Sequence, residues 1–279
     1  MKRKYAIRLA YDGTDFCGWQ TQNGVGDRAN PKPSIEQTLI AAILDLTGEV
    51  VTVTSSGRTD AGVHASGQVA HFRLASFACP EERLLEGINH RLPESVRVLE
   101  LGRAPDSFHA GRAIAKQYSY YFQVGPAHLP TLRRYTTWCR HPLDGDAMQD
   151  AARVLIGIHD FAPFMGGGSS VKSTVREIHE AEVTRDRFDG PGAFGSEGRI
   201  VWRFRLRGSG FLKQMVRRLA GTLRRIGEGR RPAHDIATIL ATGNRETVGP
   251  TAPAGGLWLE RVWYAEPFGL VEDTVSGER

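Results

Sequence analysis

The sequence predicts an α+β protein: two pseudo-symmetric halves of ferredoxin-like, RRM-like layout that share a continuous antiparallel sheet, with helices on one side and a central groove. Two observations predict it. Strand-type alternation and helix-type periodicity recur in the same order twice along the chain. The length, 279 residues, lies near the size at which one hydrophobic core stops growing, which suits two coupled units. The expected division is residues 1–108 and 109–279.

In the first run Tyr5, Ile7, Leu9 and Tyr11 alternate as a strand. A helix follows from Ser34, with Ser34 and Gln37 at capping-box spacing, Ile35, Leu39, Ala42, Ile43 and Leu46 on one face, and Gly48 as its stop. Strands come next at Val51 to Thr54 and Gln68 to Leu74, then a helix near Pro80 to Arg91 and a strand from Val96 to Leu101. The second run opens on Lys116, Tyr118, Tyr120, Phe122 and Val124. It continues with a helix from about Gly145 to Ile158, strands at Val175 to Val183 and Ile200 to Arg207, helices over Phe211 to Ile226 and Ala233 to Ala241, and the closing strand GLWLERVWY. The Gly-, Pro- and Asn-rich stretches at 23–33 and 165–170 are loops.

No apolar run reaches the roughly 18 residues of a membrane span, and the alternating N-terminus has no signal-type apolar block, so a cytoplasmic protein is expected. The three cysteines, Cys17, Cys79 and Cys139, are scattered, and His109, His159 and His179 lack ligand spacing; neither a disulfide framework nor a metal site is expected. No dinucleotide fingerprint or phosphate loop occurs, so no nucleotide cofactor is expected either.

Charge points to a polyanion. Net charge is +5, and residues 199–231 hold ten Arg and one Lys against Glu228 alone. The strand in this segment puts Trp202, Phe204 and Leu206 on one face and Arg203, Arg205 and Arg207 on the other. The helix after it puts Leu212, Met215, Val216, Leu219, Leu223 and Ile226 inward, and Lys213, Arg217, Arg218, Arg224 and Arg225 on the opposite arc. A solvated amphipathic helix would share that pattern; a nucleic-acid face explains why so few acids accompany it. Tyr118 and Tyr120 share a strand face with Phe122, either as core or, with Lys116 beside them, as a stacking surface for a base.

In GRTDAGVHASGQVAHF, residues 57–72, Asp60 stands between Arg58 and His64 in a loop fenced by Gly57 and Gly62. An isolated Asp there serves a turn or cap as readily as it serves chemistry. This stretch resembles the signature loop of the tRNA pseudouridine synthase A family. FCGWQTQ (16–22), SFHA (107–110), KQYSYYF (116–122), LIGIHDFAPF (155–164), TVREI (174–178), GFLKQMVRRLAGTL (210–223) and APAGGLWLERVWY (252–264) resemble its other blocks, in order. The chain departs from the family at Gly111, where Arg is usual, and at Lys116, where Arg is common.

The resemblance implies a homodimeric enzyme that binds tRNA and isomerises uridine to pseudouridine in the anticodon stem and loop without a cofactor. It implies Asp60 as the catalytic carboxylate, Arg217 as its basic partner, Tyr118 as the active-site tyrosine and Arg58 as the residue that displaces the target base. Lys116, Arg205, Lys213, Arg218, Arg224 and Arg225 are then expected to contact RNA. In such a reaction uracil leaves C1′ through N1, turns, rejoins through C5 and loses the C5 proton. An ionised Asp serves either as nucleophile at C1′ or as base at C2′. The alternative is a non-catalytic RNA-binding protein of RRM-like fold using the same basic face.

Overall fold

A computed structural model describes residues 2–20, 32–168, 171–187, 200–265, 268 and 270; most of the expected loop at 23–33 and the end of that at 165–170 lie outside these. The chain is mixed α+β with mostly antiparallel strands. It forms two compact units, Met1–Ile114 with Leu259–Arg279, and Ala115–Trp258.

The first unit runs β1 (Arg3–Tyr11), α1 (Ile35–Thr47), β2 (Thr54–Ser55), β3 (His64–Leu74), α2 (Glu81–Arg91) and β4 (Val96–Arg103). Strand β1 lies between β3 and β4, antiparallel to both, so that Ile7 faces Ala70 on one side and Leu101 on the other. Tyr5, Ile7, Leu9 and Phe72 are buried, each such side chain contributing about 1.5–3 kcal/mol of apolar transfer. Helix α1 begins where the sequence says. The Gln37 amide donates to Ser34 Oγ at 3.1 Å, and Gly48 closes the helix at φ 72°. The strand expected at 51–54 shrinks to two residues facing Ala70 and His71, because Val51 and Val53 pack as buried coil.

The second unit runs β5 (Ala115–Val124), β6 (Thr137–Cys139), α3 (Gly145–Arg153), β7 (Gly157–Asp160), β8 (Val175–Arg187), β9 (Ile200–Gly208), α4 (Met215–Gly227) and α5 (Asp235–Thr242). Strand β9 pairs antiparallel with β5 and β8, β7 pairs antiparallel with β8, and β6 runs parallel to β5. Tyr118 faces Leu206, Tyr120 faces Phe204 and Phe122 faces Trp202, while α4 buries Met215, Val216, Leu219, Leu223 and Ile226.

Two expectations fail here. The helix expected to reach Ile158 ends at Arg153. Gly157 takes φ 108°, and the apolar run that follows is strand β7, with Ile158 opposite Glu177. The helix expected from Phe211 starts at Met215, because Gln214 takes φ 58°, the one positive-φ non-glycine among the described residues.

The last strand, β10 (Leu257–Trp263), crosses the division. Its later residues return to the first unit. A Cβ on Gly67 of β3 would lie 2.1 Å from the Glu260 carbonyl oxygen, so glycine is required at this approach. The Ile114 amide donates to Trp263 O at 2.8 Å, Tyr264 donates its hydroxyl to Ala110 O, and Phe108 stacks on Phe268 at 4.5 Å.

Candidate active site

Arg58 and Asp60 belong to the first unit. After β2 the chain runs through Ser56 to Asp60 and turns at Ala61 and Gly62, the Val63 amide donating to Asp60 O at 3.1 Å. Gly62 holds φ 76°, which gives that turn its glycine. Asp60 is half-buried, and Arg58 is exposed between buried Ser56 and Thr59.

Beneath this loop lies a buried polar network. Gln68 on β3 accepts from Ser56 Oγ at 2.6 Å and from the Val69 amide at 3.2 Å through Oε1, and donates through Nε2 to Gly57 O at 2.9 Å and to the Tyr11 hydroxyl at 3.5 Å. The Tyr11 hydroxyl and Thr59 Oγ1 are 2.8 Å apart. Burial pushes the Tyr11 phenol up to about 12, against the pull of those two hydrogen bonds, so it stays neutral. A buried amide whose donors and acceptor are all engaged fixes its surroundings, since each unmade bond would cost about 1–3 kcal/mol.

The FCGWQ segment holds the loop from the side. The Trp19 amide donates to Thr59 O at 3.0 Å, and Gly18 takes φ 107° where a Cβ would stand 2.6 Å from that oxygen. Gly18 O and Trp19 O in turn accept from the first two amides of α1, Ile35 and Glu36, so one segment joins the carboxylate loop to a helix start. Burial raises the Glu36 carboxyl and the Arg58 charge lowers it. His64 is fully buried, with Gly13 N at 3.1 Å and Asp12 Oδ1 at 3.2 Å from Nδ1, as suits a loop support.

Tyr118, Lys116, Arg217 and the other basic candidates belong to the second unit. Tyr118 is buried on β5, its ring edge-on to Phe211 at 5.1 Å. Tyr120 and Phe122 are fully buried, and the Tyr120 hydroxyl bonds Thr137 Oγ1 and Pro253 O, so those two are core and not a stacking surface. Burial brings the Lys116 ammonium down to about 8. Arg217 donates from Nε to Ala252 O at 2.8 Å while the Ala252 amide donates to Arg217 O, so GFLKQMVRRLAGTL and APAGG meet at this arginine.

The remaining basic groups meet acceptors that a linear charge count does not see. Arg205 pairs with Glu182 directly opposite it on β8, and Arg207 with Glu180 at 2.6 Å. Arg224 and Arg225 both reach Glu228, at 2.7 and 3.3 Å. Arg218 donates to Pro163 O and Met165 O, tying the DFAPF stretch to α4. Lys213 is exposed just before the helix. Among the described residues no group of three or more His, Cys, Asp or Glu could hold a metal ion.

The family described as tRNA pseudouridine synthase matches residues 7–111 and 151–265, which include the Asp60 loop and all of α4 but not β5. A tRNA pseudouridine synthase A of Syntrophotalea carbinolica is 39% identical over 272 residues, covering 96% of this chain and 97% of that one. Similar proteins of the same name come from Myxococcus xanthus, 41% identical with 93% and 91% covered, and from Latilactobacillus sakei, 37% identical with 95% and 100% covered.

Proposed function

Because the chain belongs to the tRNA pseudouridine synthase family, we propose that it isomerises uridine to pseudouridine in the anticodon stem and loop of tRNA, with Asp60 as the reacting carboxylate and no cofactor. The observation that carries this reading is the half-buried Asp60 on a loop tied at Ser56, Gly57, Thr59 and Asp60, next to an exposed Arg58. A group that must meet one sugar carbon in a large flexible substrate gains from such fixing.

The reaction balances with side chains alone. The N1–C1′ bond breaks, the C5–C1′ bond forms, the C5 proton leaves and N1 takes up a proton. Asp60 acts at C1′ or C2′, Arg217 keeps it ionised and Tyr118 holds the detached ring. The uridine is turned out of its stack at a cost of a few kcal/mol, which Arg58 offsets by entering the space it leaves. Lys116, Arg205, Lys213, Arg218, Arg224 and Arg225 are read as the tRNA-facing groups. The reading also holds that each unit is a ferredoxin-like half, and that the enzyme works as a cytoplasmic homodimer.

The test is tritium release from C5-labelled uridine in tRNA, with the modified positions mapped. Wild-type protein should release tritium, and Asp60→Asn should abolish release while tRNA affinity is kept. Appreciable turnover by Asp60→Asn would sink the assignment of the carboxylate.

A further inference from the structure

We infer that Tyr11 and Gln68 are positioning residues for the Asp60 loop: through Thr59 and Gly57 they set where the carboxylate stands without touching substrate themselves. This rests on the proposed function.

The argument is geometric. Four residues from three parts of the first unit meet in one buried cluster: Tyr11 at the end of β1, Ser56 and Thr59 in the loop, and Gln68 on β3. All four are buried, so water does not replace a lost partner cheaply. Gln68 grips the loop at both Ser56 and Gly57, and Tyr11 grips it at Thr59, one residue before the carboxylate. On the far side the Trp19 amide takes Thr59 O. Thr59 is thus held at its side chain by one element and at its backbone by another, and its successor inherits the placement. A phenylalanine at position 11 would fill the core nearly as well as Tyr; the hydroxyl is explained by what it holds. None of this depends on the loop's own charge, which is why the group that reacts and the groups that aim it are separable by mutation.

Tyr11→Phe and Thr59→Val each remove one hydroxyl from the same hydrogen bond and keep nearly the same shape. Each should lower kcat for tritium release by about tenfold, within the roughly hundredfold that a misplacement of 1 Å can cause, with KM and tRNA affinity unchanged. The double variant should be no slower than the worse single one, because both break one link. Gln68→Glu should be slow at neutral pH, where its carboxylate repels Gly57 O, and regain rate as pH falls and the protonated acid donates again.

A kcat for Tyr11→Phe within twofold of wild type would overturn the inference. So would multiplying losses in the double variant, or losses confined to KM. Loss of the cooperative melt in both single variants would also overturn it, since the cluster would then hold the unit and not the loop. A wild-type protein that releases no tritium would instead remove the proposed function, which the same assay reads first.

Discussion

Lys116 is a residue whose burial and charge pull apart. Its ammonium is brought from 10.5 to about 8 by burial, so the folded state disfavours the charge. Between about pH 8 and 10.5 the unfolded chain binds the extra proton, so stability rises with pH across that window. Lys116→Met should therefore be more stable than wild type at pH 7, by something on the order of 2 kcal/mol, and the advantage should vanish by about pH 10.5 in denaturant titrations. Arg217→Lys should cost far more turnover than stability, because a point charge cannot serve Ala252 O and also present a planar fork; near-normal kcat would refute the ion-pair role. At this scale the turn that carries Arg58 and Asp60 was legible from one stretch of sequence, through Gly62. Tyr11 and Gln68 were not, since each looks in sequence like an ordinary strand residue, and what distinguishes them is a partner some fifty residues away.

Among the elements, those with local punctuation were legible. Ser34, Gln37 and Gly48 mark α1 as they stand, whereas the ends of α3 and α4 depend on backbone conformations at Gly157 and Gln214 that periodicity does not encode. Gly18→Ala belongs at this scale: a side chain at φ 107° pressed on Thr59 O should destabilise the protein by about 1–3 kcal/mol and lower kcat, read by melting and tritium release. The basic helix calls for a different test. Glu228 holds Arg224 and Arg225, so Glu228→Gln should free both and tighten tRNA binding, while replacing both arginines by Ala should reduce the salt slope of binding by up to about two. An unchanged slope would return that face to a structural role. The charge count of 199–231 overstated its exposed cation because Glu180 and Glu182 come from a strand outside the segment.

At the scale of the whole molecule, Glu49 makes the first unit sensitive to acid. Glu49 accepts from the Ala75, Ser76 and Phe77 amides, which hold its carboxyl at about 2, below the ordinary 4.5. Its contribution is complete above pH 4.5 and is lost as pH falls towards 2, so a stability gap between wild type and Glu49→Gln should close over that interval. The repeated strand and helix order did not say that residues from Leu259 onward return to the first unit. A strand pattern does not say which neighbour it will meet. That return has a consequence during synthesis. The ribosome makes β1 to β4, then all of Ala115–Trp258, and only afterwards the strand whose Glu260 backs onto Gly67, a wait on the order of ten seconds. Until then β3 waits uncovered at Gly67, because β2 covers that side only at Ala70 and His71, and the open stretch of edge invites the wrong neighbour. A stop codon after Trp258 would make the wait permanent, and such a chain should be cut by protease within its first 114 residues faster than the full-length protein.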